Sequence, residues 1–296
     1  KENFYMVENT VDGKFFVTAR GWEDLSEILK SYEELQVEIG EELIGEFLQK
    51  EEIARDFAGY YRLYEKYKSD YQIQEILDGN VTTGQLKTCC DMGKKASFEE
   101  RFTVTEMLLE AVTERISVFQ KIDEKTEKLY ENLKLLKIFL QEKNSVEAME
   151  QFIASRRKAM DAKICSELLT AEEAAREEEQ IRILEEYFFQ LKELHISDVA
   201  EGIEQIGERF GNVCRLRNEK LEETKKMLEQ AFSFLEECFG EGQELLLFET
   251  GLTGDDRCSI FISQYGCPSY FKHCELLLYS KKENELRKEC RDLLEE

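Results

Sequence analysis

The stretch MLLEAVTERISVFQKIDEKTEKLYENLKLLKIFL, residues 107–140, places apolar side chains at Met107/Leu108, Val112, Ile116, Phe119, Ile122, Leu129, Leu133, Leu136 and Leu140. Steps near three and four put these positions on one helix face. The spacing predicts an amphipathic helix of about forty residues with a narrow, coiled-coil-like seam. Asn144-Ser145 ends it, and a second helix is expected over 146–169, carrying the basic run Arg156-Arg157-Lys158. Thr170-Ala171-Glu172-Glu173 resembles a capping box and opens a third, acidic helix reaching to about His195. Ser197 is the expected cap of a fourth helix that bends near Gly202, Gly207 or Gly211. It continues through Leu216, Leu221, Met227, Leu228, Phe232 and Leu235 until Gly240-Glu241-Gly242 breaks it. Beyond lie Leu245-Leu246-Leu247-Phe248, an acidic turn over Gly251–Asp256, Ile260-Phe261-Ile262, and a final helix from about Tyr270 to Leu294.

Toward the N-terminus, residues 78–97 hold Gly79, Gly84, Gly93 and Cys89-Cys90 and read as a loop-rich linker. Residues 41–77 carry Leu43, Ile44, Phe47, Leu48, Phe57, Tyr60, Tyr61, Tyr64, Tyr67 and Tyr71 at helical spacing. That aromatic stripe suits core packing better than base stacking, because acidic neighbours balance Arg55, Arg62, Lys66 and Lys68. Residues 19–38 form a first helix ended near Gly40. Before it, Phe4–Glu8 and Lys14–Thr18 flank Val11-Asp12-Gly13, and Asp-Gly between apolar runs signals a β-hairpin. The expected fold class is therefore mainly α. A small helical domain with an N-terminal hairpin (1–95) precedes a long-helix bundle or coiled-coil-like extension (96–296).

Composition agrees. The chain of 296 residues has a single proline, Pro268, and abundant Glu, Lys and Leu, the profile of long packed helices. A net charge of −24 speaks against nucleic acid and against anionic membranes, and fits basic protein partners or plain solubility. No apolar run is long enough to span a bilayer. Nine cysteines, an odd number scattered on helical segments (Cys165, Cys214, Cys238 and Cys290 among them), suit reduced thiols in a cytoplasmic protein.

Thr18 reads as the N-cap of the first helix, which puts Arg20 in the first turn. A cation there opposes the helix dipole by about 0.3–1 kcal/mol, and such a cation can be placed to meet an arriving anion. An arginine swung into solvent is the plain alternative. The run Phe16-Val17-Thr18-Ala19-Arg20-Gly21-Trp22-Glu23-Asp24-Leu25 resembles the sensor-2 stretch that opens the small helical lid domain of MoxR-type AAA+ ATPases. Phe47–Tyr61 looks like the same lid continuing. The chain departs from that pattern at Ala19, where proline is common, and in the hairpin before the helix. The resemblance implies that Arg20 senses the γ-phosphate of ATP, bound with Mg²⁺ in a large domain upstream of Lys1. It further implies a hexameric ring that remodels client proteins, with partners bearing a von Willebrand factor A domain. The extension would then be a partner- or client-binding arm. A non-enzymatic acidic scaffold or coiled-coil adaptor is the alternative.

No catalytic residue is expected within the chain. Gly79-Asn80-Val81-Thr82-Thr83-Gly84-Gln85-Leu86 has phosphate-loop glycine spacing, but Gln85 and Leu86 replace the Lys and Ser/Thr. Cofactors are therefore expected only in a longer parent protein. Cys258, Cys267, His273 and Cys274 have zinc-ligand chemistry without zinc-ligand spacing, so no metal is expected. His195 and His273 are too few to support most Cys-His dyads, and His195 reads as a helix-dipole partner. Asp255-Asp256 lacks the alternating spacing of a calcium loop, and Glu172 with Glu173 carries no specific signal. Arg156-Arg157-Lys158 could meet an acidic partner or, more commonly, the acidic face around Glu172–Glu179.

Overall fold

The computed structural model describes residues 5–10, 13–140 and 144–278, and among these it is mainly helical. An antiparallel hairpin of β1 (Met6–Thr10) and β2 (Gly13–Val17) precedes α1 (Ala19–Glu34), α2 (Glu41–Phe47), α3 (Glu51–Tyr71), α4 (Ile73–Asp78) and α5 (Thr83–Gly93). The long helix α6 (Phe98–Leu140) is followed by α7 (Ser145–Cys165), α8 (Ala171–Glu193) and the equally long α9 (Val199–Phe239). Three shorter helices complete the order: α10 (Gln243–Gly254), α11 (Asp256–Tyr265) and α12 (Pro268–Leu278). The register pairs Thr10 with Gly13 and Met6 with Val17; the expected turn residues Val11 and Asp12 lie outside the described residues.

Two compact units result. One combines Lys1–Leu108 with Leu235–Glu244, and the other combines Leu109–Phe234 with Leu245–Glu296. The first is thus discontinuous, and no single cut in the chain separates the two. In the first unit Val17, Leu25, Leu29, Ile44, Leu48, Ile53, Ala54, Ala58 and Tyr61 form one core beneath the hairpin and α1–α3. The aromatic stripe is divided: Tyr61 and Tyr71 are buried with their hydroxyls on Glu33 and Glu100, whereas Tyr60 stays half exposed. The helical spacing over residues 41–77 is divided among three helices, because the chain leaves helical geometry at Leu48 and again at Gln72, which takes φ +50°.

In the second unit Leu129, Leu136 and Leu140 of α6 pack with Phe152 and Met160 of α7, Ile181, Leu184 and Leu191 of α8, and Ile206 of α9. The seam foreseen for a coiled coil therefore closes on helices of its own chain. Its polar break is satisfied internally: Asn132 donates to Gln180 across 3.5 Å, and Gln180 donates to the Lys125 carbonyl at 3.2 Å. The capping box of Thr170 and Glu173 is present as expected. Three other expectations need correction. Residues 78–97 contain helix α5, opened by a Thr82/Gln85 capping box. The stretch 245–262 is helical through α10 and α11. Asp198, next to Ser197, caps α9 by accepting from the Ala200 and Glu201 amides.

α9 runs unbroken through all three glycines that were candidates for a bend. A Cβ at Gly202 would fall 2.6 Å from Ser145 Cβ, so glycine is required where α7 begins against α9. Ser145 seals that corner with its hydroxyl on the Ile196 carbonyl at 2.8 Å. Gly207 and Gly211 have no described atom within 4 Å of such a Cβ. Glycine in an open helix interior costs about 1 kcal/mol relative to alanine. Gly211→Ala should therefore raise the urea-unfolding free energy by about 1 kcal/mol, while Gly202→Ala lowers it by about 1–3 kcal/mol through overpacking.

Candidate functional site

The start of α1 is held by four neighbours. Thr18 is an extended N-cap whose Oγ1 accepts from the Gly21 amide at 3.1 Å. Gly21 has no room for a side chain, because its Cβ would lie 2.9 Å from the Phe47 carbonyl oxygen. Gln49 accepts the Phe16 amide on its side chain and donates its own amide to the Phe16 carbonyl, both at 3.3 Å. Val17, 1% exposed, anchors this turn in the core. Arg20 stands on that fixed turn with its side chain 86% exposed, and its Nε lies 3.6 Å from Asp24. Sequence reasoning identified Thr18 and Arg20 but not Gly21 or Gln49, whose importance depends on contacts more than twenty residues away.

The surface beside this turn has the wrong sign for phosphate. A shallow depression of about 690 Å³ is bordered by Gly40, Gly45, Glu41, Glu42 and Glu51. Arg55, the nearby cation, is engaged by Glu41 and Glu51. The Gly79–Leu86 string joins α4 to α5, with Gly79 at φ +68° completing the end of α4.

The remaining candidates are dispersed. Cys258 Sγ meets Thr113 Oγ1 at 3.5 Å, Cys267 Sγ donates to Glu229 at 3.2 Å, and His273 stacks on Phe232 with ring centroids 5.8 Å apart. Among the described residues no three His, Cys, Asp or Glu side chains are grouped to hold a metal ion. Burial pushes the Cys258 thiol up to about 11 and Cys267 up to about 12, the reverse of what a nucleophile needs. Glu229 instead completes the start of α12, accepting from Ser269 Oγ at 2.5 Å and from its amide at 3.4 Å, while Pro268 fills the first helical position. Asp255 caps α11 through the Arg257 and Cys258 amides; the Arg257 guanidinium bonded to it holds its carboxyl below the usual range.

His195 is exposed at φ +57°, just past the end of α8, with Nδ1 2.9 Å from the Glu193 carbonyl oxygen. The basic run pairs within the chain: Arg157 reaches Glu185 at 2.7 Å and Glu178 at 3.6 Å, and Arg156 reaches Glu177 at 3.9 Å. Glu172 pairs with Arg176, and Glu173 serves its cap. The reduced-thiol reading fails for Cys238, which forms a disulfide with Cys90; Cys165 and Cys214 are free, and Cys290 lies outside the described residues.

Two arrangements were not foreseen. Arg217 of α9 bonds Asp123 of α6 through Nε at 2.7 Å and Tyr265 of α11 through Nη2 at 2.6 Å, and Tyr265 donates to the same carboxylate at 2.7 Å. The guanidinium also lies 5.3 Å from the centroid of the buried Phe119 ring. Glu249 of α10 is only 2% exposed, and its Oε1 has no hydrogen-bond partner among the described residues. Burial raises its carboxyl to about 7, and its charge acts on Tyr270 and Cys274 of α12. No described helix is long and apolar enough to cross a membrane. Compared with known proteins, the chain matches no family model, no curated protein and no solved structure.

Removing one partner of the Arg217 cluster leaves a half-buried charge exposed to apolar surroundings. Asp123→Asn should cost about 1–3 kcal/mol in urea unfolding, and a double-mutant cycle with Tyr265→Phe should show a coupling of at least about 0.5 kcal/mol. Glu249 binds its proton more tightly folded than unfolded, so the stability it contributes falls as pH rises from about 4.5 through about 7. Glu249→Gln should raise Tm at pH 8 and flatten the decline between pH 5 and pH 8, an effect of roughly 1–3 kcal/mol readable by thermal unfolding at both pH values.

Proposed function

We propose that this chain acts by contacting other proteins and not by a reaction of its own, with its long helices forming the contact arm. The observation that carries the reading is the burial of four reactive groups, while the exposed His195 and Cys165 belong to no group of three or more side chains able to hold a metal ion among the described residues. Cys258, Cys267, His273 and Glu249 are all 2% exposed or less, so no substrate reaches them without unfolding. Surface carboxylates such as Glu177, Glu178, Glu185 and Glu186 are engaged in ion pairs. Among the charged side chains that the long helices turn outward stand apolar ones: Tyr130, Leu135 and Ile138 on α6 and Leu216 on α9 are each at least 46% exposed. The net charge of −24 favours basic partners by long-range attraction. A measurable turnover of ATP or of an activated ester by the purified chain, lost in Cys267→Ala or Glu249→Gln, would overturn this reading.

A second, sharper reading has one specific observation in its favour. Arg20 stands exposed on a rigid first turn, with its Nε 3.6 Å from Asp24. That arrangement supports the lid-and-arm reading, in which the chain is part of a MoxR-type AAA+ ATPase. ATP and Mg²⁺ would lie in a domain of the longer protein, arranged with neighbours as a hexameric ring. Arg20 would stabilise charge on the transferring γ-phosphoryl. The arm would contact a client or a partner with a von Willebrand factor A domain. In such a full-length protein, Arg20→Ala should lower ATP turnover about tenfold or more. Unchanged turnover would leave only the first reading.

A further inference from the structure

Cys90 on α5 and Cys238 on α9 are 148 residues apart in sequence, yet their Cα atoms lie 4.2 Å apart and a disulfide joins them. Both side chains are buried, at 5% and 1% exposure. Both belong to the first compact unit, one on its long segment and one on its short segment Leu235–Glu244. The bond therefore links the two pieces of chain from which that unit is made.

The surroundings favour this pairing independently of the bond. One turn along α5, a Cβ at Gly93 would fall 2.8 Å from Phe239 Cε1, so the glycine admits the ring of the residue that follows Cys238. Cys89 is the neighbouring thiol and the natural competitor. Its Sγ contacts the carbonyls of Asp70 and Tyr71 at 3.7 Å, and consecutive helical side chains point about 100° apart. Burial raises the Cys89 thiol above its ordinary value, which suppresses thiolate attack on the adjacent disulfide.

We infer that Cys90 and Cys238 are a redox pair that pins Leu235–Glu244 to α5. In the oxidised form the segment is held covalently; in the reduced form it is held by packing alone. Oxidation removes one proton and one electron from each thiol as the S–S bond forms. A disulfide oxidant such as glutathione disulfide accepts both electrons and both protons and leaves as two thiols. A dithiol reductant reverses the step after the contact between α5 and this segment opens, because neither sulfur is accessible while it is closed.

The test uses the whole chain after equilibration in glutathione disulfide, followed by denaturing alkylation and mass spectrometry. Cys90 and Cys238 should resist alkylation before reduction and alkylate after dithiothreitol, with a linked peptide pair holding both before it. Reduction should lower Tm by on the order of 5–10 °C. It should also speed amide exchange in α5 and in 235–244 ahead of the remainder of the chain. Cys89→Ser should keep the link, and Cys238→Ser should reproduce the exchange pattern of the reduced protein. Alkylation of Cys90 and Cys238 after oxidation, or a link that maps to Cys89, would overturn the pairing. Unchanged exchange on reduction of a correctly mapped link would overturn the device. The wild-type mass and exchange measurements decide the matter even where a serine variant fails to fold.

Discussion

Arg217 cannot be satisfied by any one of the helices around it. Its guanidinium spans Asp123 on α6 and Tyr265 on α11 and covers the Phe119 ring, and only the joint arrangement of the three helices supplies all these contacts. Phe119 in turn meets Phe261 and Tyr265 edge-on at 5.5 Å. A cation with a 19% exposed side chain has given up most of its water, so any shift of α11 along α6 leaves it uncompensated. Apolar packing alone tolerates sliding; this cluster fixes which residues of the long helices face each other. The Asn132–Gln180 pair sets the same kind of constraint farther along α6, where it meets α8.

The helices were legible because their apolar residues recur at helical steps, and the longest ones were legible best. The spacing from Met107 to Leu140 named α6, and Thr170 with Glu173 marked the start of α8. Short helices were not legible by the same signal. α5 has three glycines and two cysteines around it, a composition that also suits a loop, and the Thr82/Gln85 box is the local sign that decides for a helix. The supposed acidic turn before Ile260 is the end of α10 and the cap of α11, and an aspartate suits a solvated turn and a cap equally well. Glycine was ambiguous in another way. Gly202 is demanded by Ser145 across the helix pair, Gly211 faces open space, and nothing local distinguishes them.

Less of the candidate site could be read. The local cap of α1 gave Thr18 and placed Arg20, since capping is a matter of three or four consecutive residues. What makes that turn rigid is Gly21 beneath Phe47 and Gln49 across Phe16, contacts that only the folded chain brings together. The orphaned carboxyl of Glu249 is one glutamate in a chain with 64 acidic residues, and its burial is invisible until α10 is placed. Cys90 and Cys238 posed the same difficulty: nine cysteines allow many pairings, and their separation of 148 residues offers no spacing rule.

The discontinuity of the first compact unit bears on how the molecule is made. Its short segment, Leu235–Glu244, is specified after the whole of Leu109–Phe234. A ribosome adding residues at about 5–20 per second needs on the order of ten seconds to synthesise that intervening length. Throughout that interval α5 has emerged without the strand of chain that covers Cys90 and Gly93. The unit that begins with the hairpin therefore cannot be completed until Glu244 has been added, although most of its residues precede Leu109. Nascent chains stalled before Leu235 would carry its unfinished face into the crowded space outside the exit tunnel.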